Sequence, residues 1–117
     1  MPARFRDLAF DARDHQMLAD WWCRAMGYVR DTDGIEDEPP HMPVLIVDPA
    51  DRGPRIWVNP VPEPKTVKNR MHIDVNGDTE ELVALGATVV RRQDDEIEWD
   101  ILVDPEGNEF CVFAPRR

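Results

Sequence analysis

The chain has 117 residues, enough for one compact domain with a real buried core. Its 42% hydrophobic content places it among folded rather than disordered chains. A formal net charge of −10 repels phosphate backbones and anionic membranes, so neither nucleic acid nor a membrane surface is an expected partner.

The N-terminal stretch "MPARFRDLAF" carries no apolar run of signal-peptide length, and no later segment reaches transmembrane length. The expected location is therefore the cytoplasm. The two cysteines, Cys23 and Cys111, fit reduced thiols and make no CxxC or zinc-ribbon spacing.

In chain order, "RFRDLAF" predicts a strand by alternation, with Phe5, Asp7 and Ala9 on one face and Arg6, Leu8 and Phe10 on the other. Asp14 reads as a helix N-cap. The helix "HQMLADWWCRAM" follows, with Met17, Leu18, Trp21, Trp22, Ala25 and Met26 in one apolar stripe. Gly27 suits its left-handed C-terminus. The acidic stretch "DTDGIEDEPPHMP" predicts a mobile loop between strands at about Tyr28–Thr32 and Val44–Asp48. A further strand is expected at about Arg55–Asn59.

The segment "NPVPEPKTVKN" has three prolines and reads as a stiff linker. Beyond it, "MHIDV" is a strand. Asp78 and Glu81 form an Asp-x-x-Glu capping box, and the short helix "TEELVAL" ends at Gly86. Strands follow near Thr88–Arg92, Glu98–Val103 and Glu109–Phe113.

This series is one unit used twice. "PVLIVDPADRGPRIWV" resembles "DILVDPEGNEFCVF", and "AMGYVR" resembles "ALGATVVR". Equivalent pairs lie at nearly equal offsets, 56 residues for Asp48 and Asp104 and 59 for Gly27 and Gly86. The expected fold is α+β: two tandem βαβββ units forming a curved mixed sheet around a cavity, helices outside. Unit one spans about 3–60, the linker about 60–69 and unit two about 70–115, all within a single domain. A concave cavity of that kind is the default ligand site.

The motifs "VPEPKTVKNRMHIDV", "LVALGATVV" and "LVDPEGNEFCVF", supported by "ADWWCRAMGY", resemble the vicinal oxygen chelate superfamily. That superfamily includes glyoxalase I, bleomycin-resistance proteins and extradiol dioxygenases; the likeness is to its small bacterial glyoxalase-like domains. The resemblance implies ligand positions on the first and last strands of each unit. They fall on Asp7 and on Trp57 or Asn59 in unit one, and on His72 and Cys111 in unit two. Only His72 is the ligand type that metal-using members employ, so the expected cofactor is none. His72, Asp7 and Cys111 remain the candidates if a divalent metal binds.

Alternation groups His72 with Asp74, away from Met71, Ile73 and Val75. An imidazole there suits ligand contact or proton transfer, or serves as a hydrogen-bonded structural residue. Asp7 reads as a general base or as the partner of Arg70 or Lys68. Cys111 shares a face with Glu109 and Phe113, and a buried thiol is most often a small hydrophobe. Glu109 is a weaker acid/base candidate whose place at a strand start suggests exposure. Trp57 and Trp99 occupy what read as equivalent halves and suit pocket walls or core. His15 and His41 read as surface residues.

Two functions stay open. One is a metal-free protein holding a small hydrophobic or aromatic molecule, contacted by Phe5, Asp7, Trp57, Asn59, His72, Asp74, Trp99, Cys111 and Phe113. The other is a lyase- or isomerase-type enzyme using His72 with Asp7 or Glu109 as acid/base groups. The expected partners are a small molecule and a second copy of the chain, as a homodimer.

Overall fold

A computed structural model describes residues 2–32 and 38–114. The central part of the predicted mobile acidic loop, residues 33–37, lies outside the described residues. The chain divides into two compact units, Met1–Pro64 and Lys65–Arg117.

Unit one runs β1 (Leu8–Ala12), α1 (His15–Met26), β2 (Val29–Arg30), β3 (Val44–Val47) and β4 (Ile56–Pro60). Unit two repeats the series: β5 (Ile73–Asn76), α2 (Thr79–Leu85), β6 (Thr88–Arg91), β7 (Asp100–Val103) and β8 (Glu109–Phe113). Each unit has one four-stranded mixed sheet, ordered β1-β4-β3-β2 in the first and β5-β8-β7-β6 in the second. The first strand of each pairs parallel with the last, and the other pairs are antiparallel. These are the tandem βαβββ units that the repeat implies.

Local chemistry explains the shared elements. The Asp14 carboxylate accepts from the Met17 N–H at 3.1 Å, and Asp78 accepts from the Glu81 N–H at 3.0 Å. Each bond satisfies an amide left over at a helix start. Gly27 and Gly86 close the helices at φ +72° and +118°, a region that costs a side chain but not glycine. The two Asp-Pro turns also match. Asp48 accepts from the N–H groups of Ala50, Arg52 and Gly53; Asp104 accepts from those of Glu106 and Asn108. The amides around Asp48 hold its carboxyl below the usual carboxylate range.

The cores differ in content. In unit one, Trp21 and Trp22 are fully buried with Leu18, against Ile46, Ile56 and Val58. Trp22 stacks on Phe10 at 5.6 Å and meets Trp21 edge-on at 5.0 Å. A buried tryptophan removes roughly 200 Å² from water, an upper bound of about 5 kcal/mol at ~25 cal/mol/Å². In unit two, the shorter helix buries Leu82 against a sheet core that includes Leu102, Phe110 and Val112. There Thr79 Oγ donates to Asp100 at 2.6 Å and pins the start of α2 to β7.

Several strand bounds differ from the alternation reading. β1 is Leu8–Ala12, not the earlier "RFRDLAF" span, because ladder pairing with β4 begins at Leu8 opposite Ile56. Phe5 and Met71 precede their strands and are 73% and 80% exposed, so Met71 does not join the helix-packed face of Ile73 and Val75. β2 covers only Val29–Arg30, and β7 starts at Asp100. His15 is buried, contrary to its surface reading: its Nε2 lies 2.9 Å from the Met42 carbonyl oxygen, and the chain before β3 covers it. No helix among the described residues is long and apolar enough to cross a membrane.

Candidate functional site

Strand register decides which side chains can work together. In unit two, Ile73 pairs with Phe110 and Asp74 with Cys111. On the other edge of β8, in the antiparallel ladder, Cys111 lies opposite Ile101 of β7. Side chains alternate across a sheet, so Phe110 and Val112 pack toward α2 while Glu109, Cys111 and Phe113 take the other face. His72, Asp74 and Asn76 share that second face.

In unit one, Leu8 pairs with Ile56 and Ala9 with Trp57. The two ladders superpose in register. Asp7 therefore corresponds to His72, and Trp57, not Asn59, corresponds to Cys111. Trp99 is not the counterpart of Trp57. It lies just before β7, with its ring 5.5 Å from that of Phe113.

The unit-one pair is closed on itself. The Trp57 indole N–H donates to Asp7 Oδ2 at 3.0 Å. Arg55 and Arg6 approach the same carboxylate at 3.4 and 3.7 Å, and its side chain is 10% exposed. Within unit one its partners are thus Trp57, Arg55 and Arg6. An indole N–H offers a proton and no lone pair, so Trp57 cannot ligate a cation. Asn59 lies one strand position pair further on, opposite Asp11.

The unit-two pair is open and chemically richer. His72 Nδ1 lies 3.1 Å from Asp74 Oδ1 and 3.8 Å from the Cys111 sulfur. The His72 and Asp74 side chains are 44% and 55% exposed, whereas Cys111 is buried. Burial, and then the Asp74 carboxylate, push the Cys111 thiol upward from its ordinary value. It is therefore a protonated thiol at neutral pH rather than a reactive thiolate.

Glu109 is less exposed than a strand start suggests. Lys65 donates to it at 2.8 Å and the Asn69 N–H at 3.2 Å, while Asn69 Oδ1 accepts from the Glu109 N–H at 3.0 Å. Lys65, first among these, holds the Glu109 carboxyl below the usual range. The prolines of "NPVPEPKTVKN" thus lead into a tethered segment. Beside these groups, a cleft of about 420 Å³ is lined by Asp74, Val75, Asn76, Glu98, Phe113 and Ala114. Asn76 and Glu98 were missed by sequence reasoning. Asn76 was legible from its alternation with His72 and Asp74; Glu98 was expected to open a strand that the structure starts only at Asp100.

Comparison with known proteins places the fold. Residues 7–113 match the model of the glyoxalase-like domain. The chain belongs to the glyoxalase-like domain family. Its fold is that of the glyoxalase/bleomycin resistance/dioxygenase superfamily, also called vicinal oxygen chelate.

The chain is similar to the fosfomycin resistance protein FosX from Listeria monocytogenes, solved with Mn(II) and sulfate, at TM-score 0.71 and 12% identity over 99% of this chain and 93% of that one. It is similar to a glyoxalase/bleomycin resistance protein/dioxygenase family enzyme from Burkholderia phytofirmans PsJN, at TM-score 0.69 and 16% identity over 94% and 97%. A third likeness is to TioX from Micromonospora sp. ML1, at TM-score 0.61 and 18% identity over 97% and 100%. At these identities the likeness establishes the fold alone. No curated protein matches the sequence.

The superfamily's metal sites draw ligands from the first and last strands of both units. The donor set here does not fit that scheme. Of the four matching positions, Trp57 has no lone pair, and Asp7 is already engaged by an indole and flanked by two guanidinium groups.

Proposed function

We propose that this glyoxalase-like domain binds a small hydrophobic or aromatic molecule without the superfamily's two-unit metal site. The observation that carries the reading is the Trp57 indole donating to Asp7: one unit-one position has no lone pair to give, and the other is already hydrogen-bonded and flanked by two guanidinium groups. The ligand lies in the unit-two cleft, against the Phe113 ring that Trp99 backs, with Asp74 and Asn76 offering polar contacts. The protein works in the cytoplasm. Two copies pair as a homodimer through exposed sheet edges.

The test uses the neutral fluorescent probe N-phenyl-1-naphthylamine. Wild type enhances its emission saturably, and Phe113→Ala weakens binding roughly 10- to 100-fold, the worth of one buried aromatic contact. No saturable binding to wild type, or equal binding by the variant, contradicts the reading.

A second reading, a lyase- or isomerase-type enzyme, is supported by one observation. Asp74 holds His72 at 3.1 Å, an arrangement that orients an imidazole for proton transfer. Asp7 and Glu109 are tied into structural bonds, so the acid/base pair in this reading is His72 with Asp74. It requires that turnover of a bound compound be lost in His72→Gln while probe binding is kept.

A further inference from the structure

We propose that His72, Asp74 and Cys111 form a site for a thiophilic cation such as zinc(II), built within the second unit alone. Their ligating atoms all lie within 4.8 Å of one another. A tetrahedral zinc with bonds of about 2.0 Å to nitrogen or oxygen and about 2.3 Å to sulfur places N and S roughly 3.5 Å apart, and N and O roughly 3.4 Å apart. The structure has 3.8 Å and 3.1 Å for those two spacings. Shifts of a few tenths of an ångström bring those two spacings to the tetrahedral values; the sulfur–carboxylate spacing, within 4.8 Å, closes by rotation of the exposed Asp74 side chain.

The backbone holds the donors in place. Asp74 is directly opposite Cys111 in the parallel ladder, and His72 is two residues before Asp74 on the same face. Phe110 and Val112, 1% and 4% exposed, lock β8 from the other side. Asp74 also lines the cleft, so a cation held here keeps an open position toward it. Three protein donors and one open position is the pattern of zinc sites that take an exogenous ligand.

The donor chemistry sets the choice of ion. A thiolate and an imidazole favour zinc and cadmium over manganese and magnesium, which prefer oxygen. On binding, the Cys111 S–H bond breaks, the sulfur–metal bond forms, and the proton leaves to solvent, with no change in oxidation state. This is not the two-unit site. Asp74 is not at a superfamily ligand position, and neither Asp7 nor Trp57 takes part. Nor does the site depend on the ligand-binding reading, since probe binding and cation binding are read by different signals.

Cadmium(II) titrated into the reduced full chain tests the assignment through the ultraviolet thiolate-to-cadmium charge-transfer band. One equivalent saturates the wild-type band. Cys111→Ser and Cys111→Ala abolish it, and His72→Ala and Asp74→Asn each weaken binding at least ~10-fold. Cys23→Ser and Asp7→Asn leave it unchanged. Circular dichroism checks the fold of each variant, and the exposed His72 keeps the test decisive if a Cys111 variant fails to fold. The proposal is overturned if wild type gives no band, as a purely hydrogen-bonded trio would. It is also overturned if the band survives loss of Cys111 or His72, or disappears in Cys23→Ser or Asp7→Asn.

Discussion

The two sheets share strand order and register yet use their helix-free faces in opposite ways. At matching positions unit one has Asp7 and Trp57, joined by a 3.0 Å hydrogen bond, while unit two has His72 and Cys111, 3.8 Å apart. The first pair is bonded to itself, with two guanidinium groups beside it. The second keeps an exposed imidazole and carboxylate beside a cleft. Duplication preserved the backbone frame that aims these side chains; the chemistry at the aimed positions diverged. A shared fold therefore does not carry a shared metal site, since ligation depends on lone pairs and not on register.

The largest expected effect separates the two cores. Trp22→Ala removes a fully buried, stacked ring from unit one and costs about 3–5 kcal/mol, whereas Leu82→Ala in unit two costs about 2–3 kcal/mol. Urea denaturation of both variants checks the order. A Leu82→Ala cost above that of Trp22→Ala contradicts the contrast between the two helices.

Next is the coupling within each pair. A double-mutant cycle on Asp7→Asn and Trp57→Phe yields a coupling of about 1.5–3 kcal/mol, because a charge-assisted bond to a mostly buried carboxylate is lost. The corresponding cycle on His72→Ala and Cys111→Ala, without added cation, yields less than about 0.5 kcal/mol, since the sulfur contact is long and the imidazole half exposed. Similar couplings in the two cycles would erase the distinction between closed and open pairs.

Acid titration gives a smaller effect. The folded Glu109 carboxyl sits below its unfolded value of about 4.3, chiefly through Lys65. Its contribution is complete above that unfolded value and is lost as pH falls through the lower folded value. Wild type is expected to exceed Glu109→Gln by about 1 kcal/mol at pH ~7, with the gap closing as pH falls through the lowered folded value. A gap that persists at low pH points to packing rather than charge. The smallest effect belongs to Arg6→Ala, under about 0.5 kcal/mol, because the Arg6 side chain is 91% exposed where it approaches Asp7.

Much of the frame was legible before any coordinates. Both helices run over the residues that their caps and apolar stripes mark, and β8 matches its apolar run. These signals are local: a carboxylate before a helix, glycine after it, alternation along a strand. The face shared by His72, Asp74, Cys111 and Phe113 was readable for the same reason. Other features depend on long-range pairing. The start of β1 is set by β4, almost fifty residues later in the chain. The choice of Trp57 over Asn59 needs the cross-strand ladder. The burial of His15 comes from a segment that crosses over the helix start. Asp7 was identified as a candidate, but its indole partner was not, because two residues so far apart meet only once the sheet forms.

Manganese(II) binding measured by isothermal titration, with wild type and Asp7→Asn compared side by side, bears most directly on the central claim. The account predicts no stoichiometric heat for either protein, because Trp57 has no lone pair to give and Asp7 is held by the indole and flanked by Arg55 and Arg6. A saturable one-to-one site in wild type that vanishes in Asp7→Asn would contradict it.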